Sequence, residues 1–572
     1  MNKSQKSDTD ATETEYPFVG SSVSTKKHIR GSTLLLAGRL IGVLVNFVIQ
    51  IIIIRYLAKA EYGAFAFASA VMMIGSNFVA LGLNKGLNRF VPIYQERGQY
   101  DMMAGTIVLV LCTMVVFGSA MAALIFGLGG VIGGSLAPDP LSLSLLLIFV
   151  WVAPLQALDE ATVKLFAIFT SPRSVFFRRH ILTPGLRFAA VLALIFFEGD
   201  AVFLAVAYLV IGVLGVIIAL AIIVQVLRRK GLLRFFHPKN LNMPVRKIFI
   251  FSLPLLSSDL VAALRGTLVI VFLGFFQGAV AVAAFRSVLF VARLNGMVFD
   301  SFRLLFEPTA GRLYARNDWA GINAFYWQTA SWVVVFTFPI FAISFALAQP
   351  LTVLLFGERY ADSGMVLSIL AVGIFLNAAF GYNADMLRVL NRVRVIVAID
   401  LTVALLALLL FVLLIPQFGA LGGAIASCAV IVTQNFFYQM VLVRTGAVKL
   451  IDLRFLKVLF IVIGAAAGLF IVQQIFAPPI HVGFMLAAVT SLLVLSLAGP
   501  TLRVETAFPE FTRIAAMRWL LRIPGNLAVA SQKQETLSPQ STLEKRIKTQ
   551  PLWNKVHRTL SENRNHNEGN PL

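Results

Sequence analysis

From about Ser32 to Ala498 the chain alternates long apolar runs with short polar connections, most of them basic. The runs are roughly 20 residues long, the length an α-helix needs to cross hydrocarbon. They lack the ~10-residue alternation of apolar and polar positions that marks a membrane β-strand. Fourteen segments read as spans: roughly 32–56, 62–84, 102–127, 141–169, 181–197, 201–227, 248–275, 279–302, 328–356, 364–387, 395–415, 419–443, 455–476 and 480–499. The pattern predicts an all-α polytopic membrane protein.

Charge tests the count. Cytoplasmic loops collect Lys and Arg. With the N-terminus in the cytoplasm, the inside segments hold 39 of the 48 Lys and Arg residues, and the outside loops hold only Arg55, Lys59 and Arg359. A miscount by one span would scramble that alternation, so both termini are expected inside, at the cytoplasmic (inner) cell membrane. The expected organisation is a polar tail (1–31), six spans (32–227), a basic linker (228–247), six spans (248–443), two more (444–499) and a basic tail (500–572). That tail opens with Phe508, Phe511, Ile514, Trp519 and Leu520 alternating with Arg513, Arg518 and Arg522, the pattern of an interfacial helix. Beyond Gly525 it is too polar to bury a core. The polar first thirty residues carry no cleavable signal, which leaves insertion to the first span.

Composition narrows the function. Apolar residues make up 58% of the chain and charged ones 13%, with a mean hydropathy of +0.84. A soluble domain carries about 25% charge, so soluble enzyme folds are excluded. The net charge of +21 would suit nucleic acid, but its distribution follows the membrane, and no nucleic-acid partner is expected. Cys112 and Cys428 lie in apolar runs and the six histidines are scattered, so neither a disulfide framework nor a metal site is expected. No cofactor is implied. The outside loops, none longer than about 15 residues, hold no His or carboxylate cluster. That argues against a membrane glycosyltransferase or polymerase, and against an enzyme generally.

A weak repeat runs through the spans. After the second comes Arg89-Phe90-Val91-Pro92 with Arg97-Gly98 and Asp101 following; after the eighth comes Leu305-Phe306-Glu307-Pro308 with Arg316-Asn317-Asp318 following. Both read as Phe-x-Pro exits into the cytoplasm. Ala64-Phe65 and Ala284-Phe285 stand near the start of the same two spans. A six-span period on one membrane side implies a parallel repeat about an axis along the membrane normal, an arrangement transporters use to hold substrate between halves.

Four motifs bring a family into view. Tyr62-Gly63-Ala64-Phe65, Gly82-Leu83-Asn84-Lys85-Gly86-Leu87-Asn88-Arg89-Phe90, Leu355-Phe356-Gly357-Glu358-Arg359-Tyr360-Ala361 and Ile415-Pro416-Gln417-Phe418-Gly419-Ala420-Leu421-Gly422-Gly423-Ala424-Ile425-Ala426 resemble the oligosaccharide flippases. That family sits in a superfamily with lipid II flippases and multidrug and toxic-compound extrusion transporters. The resemblance implies two six-helix lobes around a central cavity, alternating access, and two extra C-terminal helices. The partners it implies are a lipid-linked oligosaccharide, the bilayer, and a polysaccharide polymerase with its assembly proteins. The long C-terminal tail falls outside the family pattern.

Charges within spans should carry the chemistry, because an ionised group in hydrocarbon seeks a cavity or a partner. The basic set is Arg39, Lys164, Arg187, Arg265, Arg286 and Arg293; the acidic set is Asp159, Glu160, Asp259, Asp300, Asp385 and Asp400. Arg39, Lys164 and Arg187 lie near the cytoplasmic end and can snorkel. Arg286, Arg293 and Asp300 are seven apart and form one stripe of a continuous helix; Arg39, Asn46 and Gln50 form another. Glu160–Lys164 and Asp385–Arg388 are spaced as local ion pairs. Arg39, Arg265, Arg286 and Arg293 remain as a cationic set, with Asn46 and Gln50 as polar lining. Arginine presents a planar fork that suits phosphate, and it stays charged in a dry site. By resemblance, Arg39-Leu40-Ile41-Gly42 is similar to the Arg-x-x-Gly of span one in lipid II flippases, where the arginine lines the cavity. Either Arg286 or Arg293 matches the cavity arginine of their span eight.

The reading that follows is a flippase carrying a polyprenyl-pyrophosphate-linked oligosaccharide from the inner to the outer leaflet for surface polysaccharide. The alternative is a cation-coupled multidrug exporter of the same fold, which would need acidic groups such as Asp259 or Asp400. Asp259, Asp300 and Asp400 are the candidates for a coupling ion.

Overall fold

The computed structural model describes residues 41–128, 139–170, 176–237 and 241–502, with backbone alone at 179–180 and 257–265. Arg39, the N-terminal tail and the C-terminal tail beyond Leu502 lie outside the described residues. Every described element is helical, and ten helices are long and apolar enough to cross a bilayer. Within the described residues, the apolar segments of the sequence lie in helix, with local breaks such as Leu81–Gly82. Ile41–Tyr56 and Thr183–Phe196 are shorter apolar helices. Gly266–Ala315 and Val393–Arg444 run for 50 and 52 residues. At 1.5 Å per residue each would extend about 75 Å, more than twice the hydrocarbon thickness, so each has to turn. The turns are tight: single left-handed glycines, Gly278 (φ 77°) and Gly419 (φ 55°), stand inside these runs where short outside connections were expected.

The polar connections between spans serve the helices that follow them. Asp139, Asp200, Asp318 and Asp452 each accept a backbone N–H from the first turn of the next helix, at 2.7–2.8 Å. Those N–H groups have no partner within their own helix, and an aspartate cap stabilises by about 1 kcal/mol.

The chain folds as two compact units. The first takes the described residues through Phe290, together with Leu355–Tyr360 and Ala404–Gly423; the second takes Val291–Leu354, Ala361–Val403 and the described residues from Ala424 onward. In the first unit, Pro140–Phe169 packs against both Lys59–Ala80 and Ala201–Arg229, over a core containing Leu87, Tyr94, Leu165 and Phe166. Val206, Val210, Val213, Leu214 and Ile217 of Ala201–Arg229 are exposed at helical spacing, an apolar stripe that suits lipid rather than water. In the second unit, Trp319–Ala346 is the central helix, packed on Ser363–Phe380, Leu453–Phe476 and Ile480–Leu502 around Phe306, Tyr326, Phe338 and Tyr382.

The repeat needs one correction. Pro92 and Pro308 do not end their helices; they lie inside Leu83–Glu96 and Gly296–Ala315. Instead each even-numbered span breaks earlier, at the left-handed pair Leu81–Gly82 and at the 3-10 turn Arg293–Asn295, and then resumes. Both resumed helices stop at an arginine followed by a left-handed residue: Arg97 with Gly98 (φ 69°), and Arg316 with Asn317 (φ 54°). The common signal is this stop. The prolines cost each helix one backbone hydrogen bond without terminating it.

Candidate functional site

The first unit holds the strongest cationic candidate. Arg286 lies on the helix after Gly278, half-buried, within electrostatic reach of the buried Tyr62. Among the described residues no carboxylate pairs with Arg286. Tyr62 in turn neighbours Tyr208, and Arg187 acts on Tyr208 from the helix Thr183–Phe196. Phe65 stands edge-on to Tyr208 at 5.6 Å, fixing the phenol beside the apolar wall. Two guanidinium groups and two phenols therefore share one region. Its supporting motif is a packing device: a Cβ at Gly63 would collide with the carbonyl oxygen of Ala279, so only glycine lets Lys59–Ala80 approach the chain before Arg286 so closely.

The described part of the first span lies alongside. Phe47 meets Phe290 edge to face at 5.1 Å, and Phe290 is one turn beyond Arg286. Gln50 is half-buried. The Asn46 amide donates to the Gly42 carbonyl of its own helix at 2.7 Å. Arg39 lies outside the described residues, and at Arg265 and Asp259 the backbone alone is described.

Span eight departs from the expected continuous stripe. The 3-10 turn Arg293–Asn295 interrupts the helix, and the compact units divide between Phe290 and Val291. Arg286 thus belongs to the first unit, Arg293 and Asp300 to the second. Arg293 is exposed and Asp300 half-buried. Buried Asn295 follows Arg293, its amide donating to Ala292 O (3.0 Å) and Ser344 Oγ (2.9 Å).

The acidic residues divide by partner. Asp400 accepts from Gln434 Nε2 (2.7 Å) and from the Tyr438 hydroxyl, on the returning half of its own helical hairpin. Asn435 joins this face to Asn377 and Asn383. The expected Asp385–Arg388 pair is present and larger than a pair. Arg303 Nη2 reaches Asp385 Oδ1 at 2.8 Å, and Glu307 lies 3.6 Å from Arg303 and 3.9 Å from Arg388. Asp159 is held by Arg178, a loop arginine by sequence, which also donates to Thr162 Oγ1 (2.7 Å) and lies over the Phe166 ring. Glu160 accepts from Asn84 at 3.4 Å.

The three basic residues of the outside loops meet in the first unit. Arg359 Nη2 donates to Ile54 O (2.6 Å) and Arg55 O (2.7 Å), Arg55 Nε to Leu355 O (2.9 Å), and Lys59 Nζ to Arg359 O (2.9 Å). These carbonyls stand at or just beyond helix C-termini, where cations are favoured. Sequence reading assigned this latch no role, because its members lie some 300 positions apart.

Comparison with known proteins fits this architecture. Residues 28–296 match the family model described as Polysaccharide biosynthesis protein. The capsular polysaccharide biosynthesis protein CapF of Staphylococcus aureus is 22% identical over 209 residues, covering 36% of this chain and 53% of CapF. The chain thus spans about half the length of the curated relative it matches. Among solved structures, the lipid II flippase MurJ in an inward closed conformation aligns with a TM-score of 0.60 at 12% identity, covering 82% of this chain and 98% of MurJ. An inward-facing multidrug resistance MATE family transporter aligns at 0.57 and 14% identity, covering 70% and 95%. Identities this low establish a shared fold.

Proposed function

We propose that the chain is a member of the multidrug/oligosaccharidyl-lipid/polysaccharide exporter superfamily, on its polysaccharide-biosynthesis side, and that it flips a polyprenyl-pyrophosphate-linked oligosaccharide. The match of residues 28–296 to the polysaccharide biosynthesis family model and the fold shared with MurJ support this reading. The cargo moves from the inner to the outer leaflet of the cell membrane, with both termini in the cytoplasm, and supplies surface polysaccharide assembly. The observation that carries this reading is Arg286. A guanidinium within a spanning helix, with no carboxylate paired to it among the described residues, needs an anion or water to offset the cost of its charge. A diphosphate offers oxygens that the arginine fork can bind in parallel. We therefore assign the cargo's diphosphate to Arg286, with Arg187 and the phenols of Tyr62 and Tyr208 as its surroundings. Arg39, Arg265 and Arg293 remain members of the cationic set.

Transport by alternating access then requires the outside to close and open. The Arg55, Lys59 and Arg359 latch supplies a closure made of hydrogen bonds to helix ends, which can exchange with water when it opens. Asp259, Asp300 and Asp400 are the candidate seats of a coupling proton or cation, and Asp400 accepts hydrogen bonds from Gln434 and Tyr438.

The test is surface polysaccharide in cells whose only copy is a variant. Arg286→Ala should abolish it at unchanged membrane abundance, and Arg286→Lys should restore only part. Normal polysaccharide in Arg286→Ala would overturn the assignment. Binding of ethidium by the purified protein, lost in Asp259→Asn, would replace the flippase with a drug exporter.

A further inference from the structure

The second unit contains a cavity unconnected with any charge. It measures about 830 Å³ and lies among the helices Trp319–Ala346, Ser363–Phe380, Leu453–Phe476 and the chain around Cys428. Phe345 and Phe470, stacked at 5.2 Å, form one wall, with Met365 and Cys428 on others. No Asp, Glu, Lys or Arg lines it. Its size falls in the range of roughly 300–1,000 Å³ typical of sites for small molecules, which are mostly apolar with a few convergent polar groups.

Those polar groups sit at one end. Gln349, Gln473 and Gln474 line the cavity; Gln349 lies against Gly364, and the Gln473 carbonyl accepts from the Ala477 N–H at 3.1 Å. Among the described residues none of the three side-chain amides has a hydrogen-bond partner. All lie at helix ends that the charge pattern places on the outside. From that mouth the cavity descends along Ser363–Phe380 to Val372, a depth of about 13 Å at 1.5 Å per residue. That is close to half of the ~30 Å hydrocarbon core, or one leaflet.

We propose that this cavity binds the acyl chain of an outer-leaflet glycerolipid, with the glutamine amides donating to its ester carbonyls. The three features agree on that occupant. The apolar walls suit a hydrocarbon chain, the depth matches one leaflet, and the uncharged rim suits an ester better than a phosphate or a cationic drug. Ester carbonyls lie at the edge of the hydrocarbon, at the level where the outside helix ends hold these amide donors. The site is independent of the cationic region around Arg286, so its failure would leave the flippase reading untouched.

The experiment is photolabelling of the full chain in phosphatidylethanolamine and phosphatidylglycerol vesicles doped with a diazirine-acyl phosphatidylglycerol. Peptides covering 345–350, 364–372 and 470–477 should carry more label than the lipid-facing helix Ala201–Arg229. The double variant Gln349→Leu with Gln473→Leu should lower that label about fivefold, the factor that losing one net hydrogen bond gives. Met365→Trp, a change at a 64% exposed position that blocks the mouth, should lower it as well. Equal label on all exposed helices, or label unmoved by both variants, would overturn the proposal. Competition by a polyprenyl diphosphate but not by unlabelled glycerolipid would overturn it too, in favour of a site for the cargo's tail.

Discussion

Arg286 and Gly63 show how much depends on single residues in the first unit. The sequence left Arg286 and Arg293 equally eligible, because a stripe of seven-residue spacing treats span eight as one straight helix. The 3-10 turn at Arg293–Asn295 breaks that symmetry. Arg187 is shallow by its place along the segment, a measure that says nothing of its neighbour Tyr208. Pairings between distant residues, such as Arg178 with Asp159, leave no local spacing to read. Gly63 was legible as part of a motif but not as a contact. Its role makes a stability prediction: Gly63→Ala forces a methyl into the Ala279 carbonyl and should cost about 1–3 kcal/mol, as overpacking does. Thermal unfolding of the detergent-solubilised protein measures it, and an unchanged midpoint would contradict the close approach.

At the level of elements, the helices were readable nearly throughout, because apolar runs of span length allow few other structures in lipid. Their ends were readable where a capping aspartate or an arginine with a left-handed residue stands. The Phe-x-Pro segments misled because proline is expected to stop a helix, whereas neighbouring packing here carries Leu83–Glu96 and Gly296–Ala315 through it. The ionic cluster joining Gly296–Ala315 to Tyr382–Val389 was half visible, as the local Asp385–Arg388 pair. Arg303 and Glu307 complete it from the other helix. The Asp385 side chain is only 2% exposed, so it depends on both arginines. Arg303→Ala with Arg388→Ala should destabilise by about 3–5 kcal/mol, the cost of a buried charge left uncompensated. Each single change should cost less than half of that, since the other arginine remains. Additive single effects in a denaturation series would show that the cluster does not act as a unit.

For the whole molecule, the basic connections and apolar spans specified a polytopic membrane protein, and the low-identity structural relatives share that fold. The family motifs turn out to be where helices approach, turn or latch, which explains why so much of the resemblance is glycine and apolar. The proposed cargo recognition would lie instead in sparse charges that motif matching leaves undecided. Whether those charges bind a diphosphate is measured most directly by lipid binding to the purified full chain in native mass spectrometry. Wild-type protein should retain a polyprenyl diphosphate at least about tenfold more tightly than the uncharged polyprenol, and Arg286→Ala should erase that margin, a difference of ~1.4 kcal/mol. Equal retention of the two lipids by wild-type protein, or a margin that survives in Arg286→Ala, would contradict the proposed recognition.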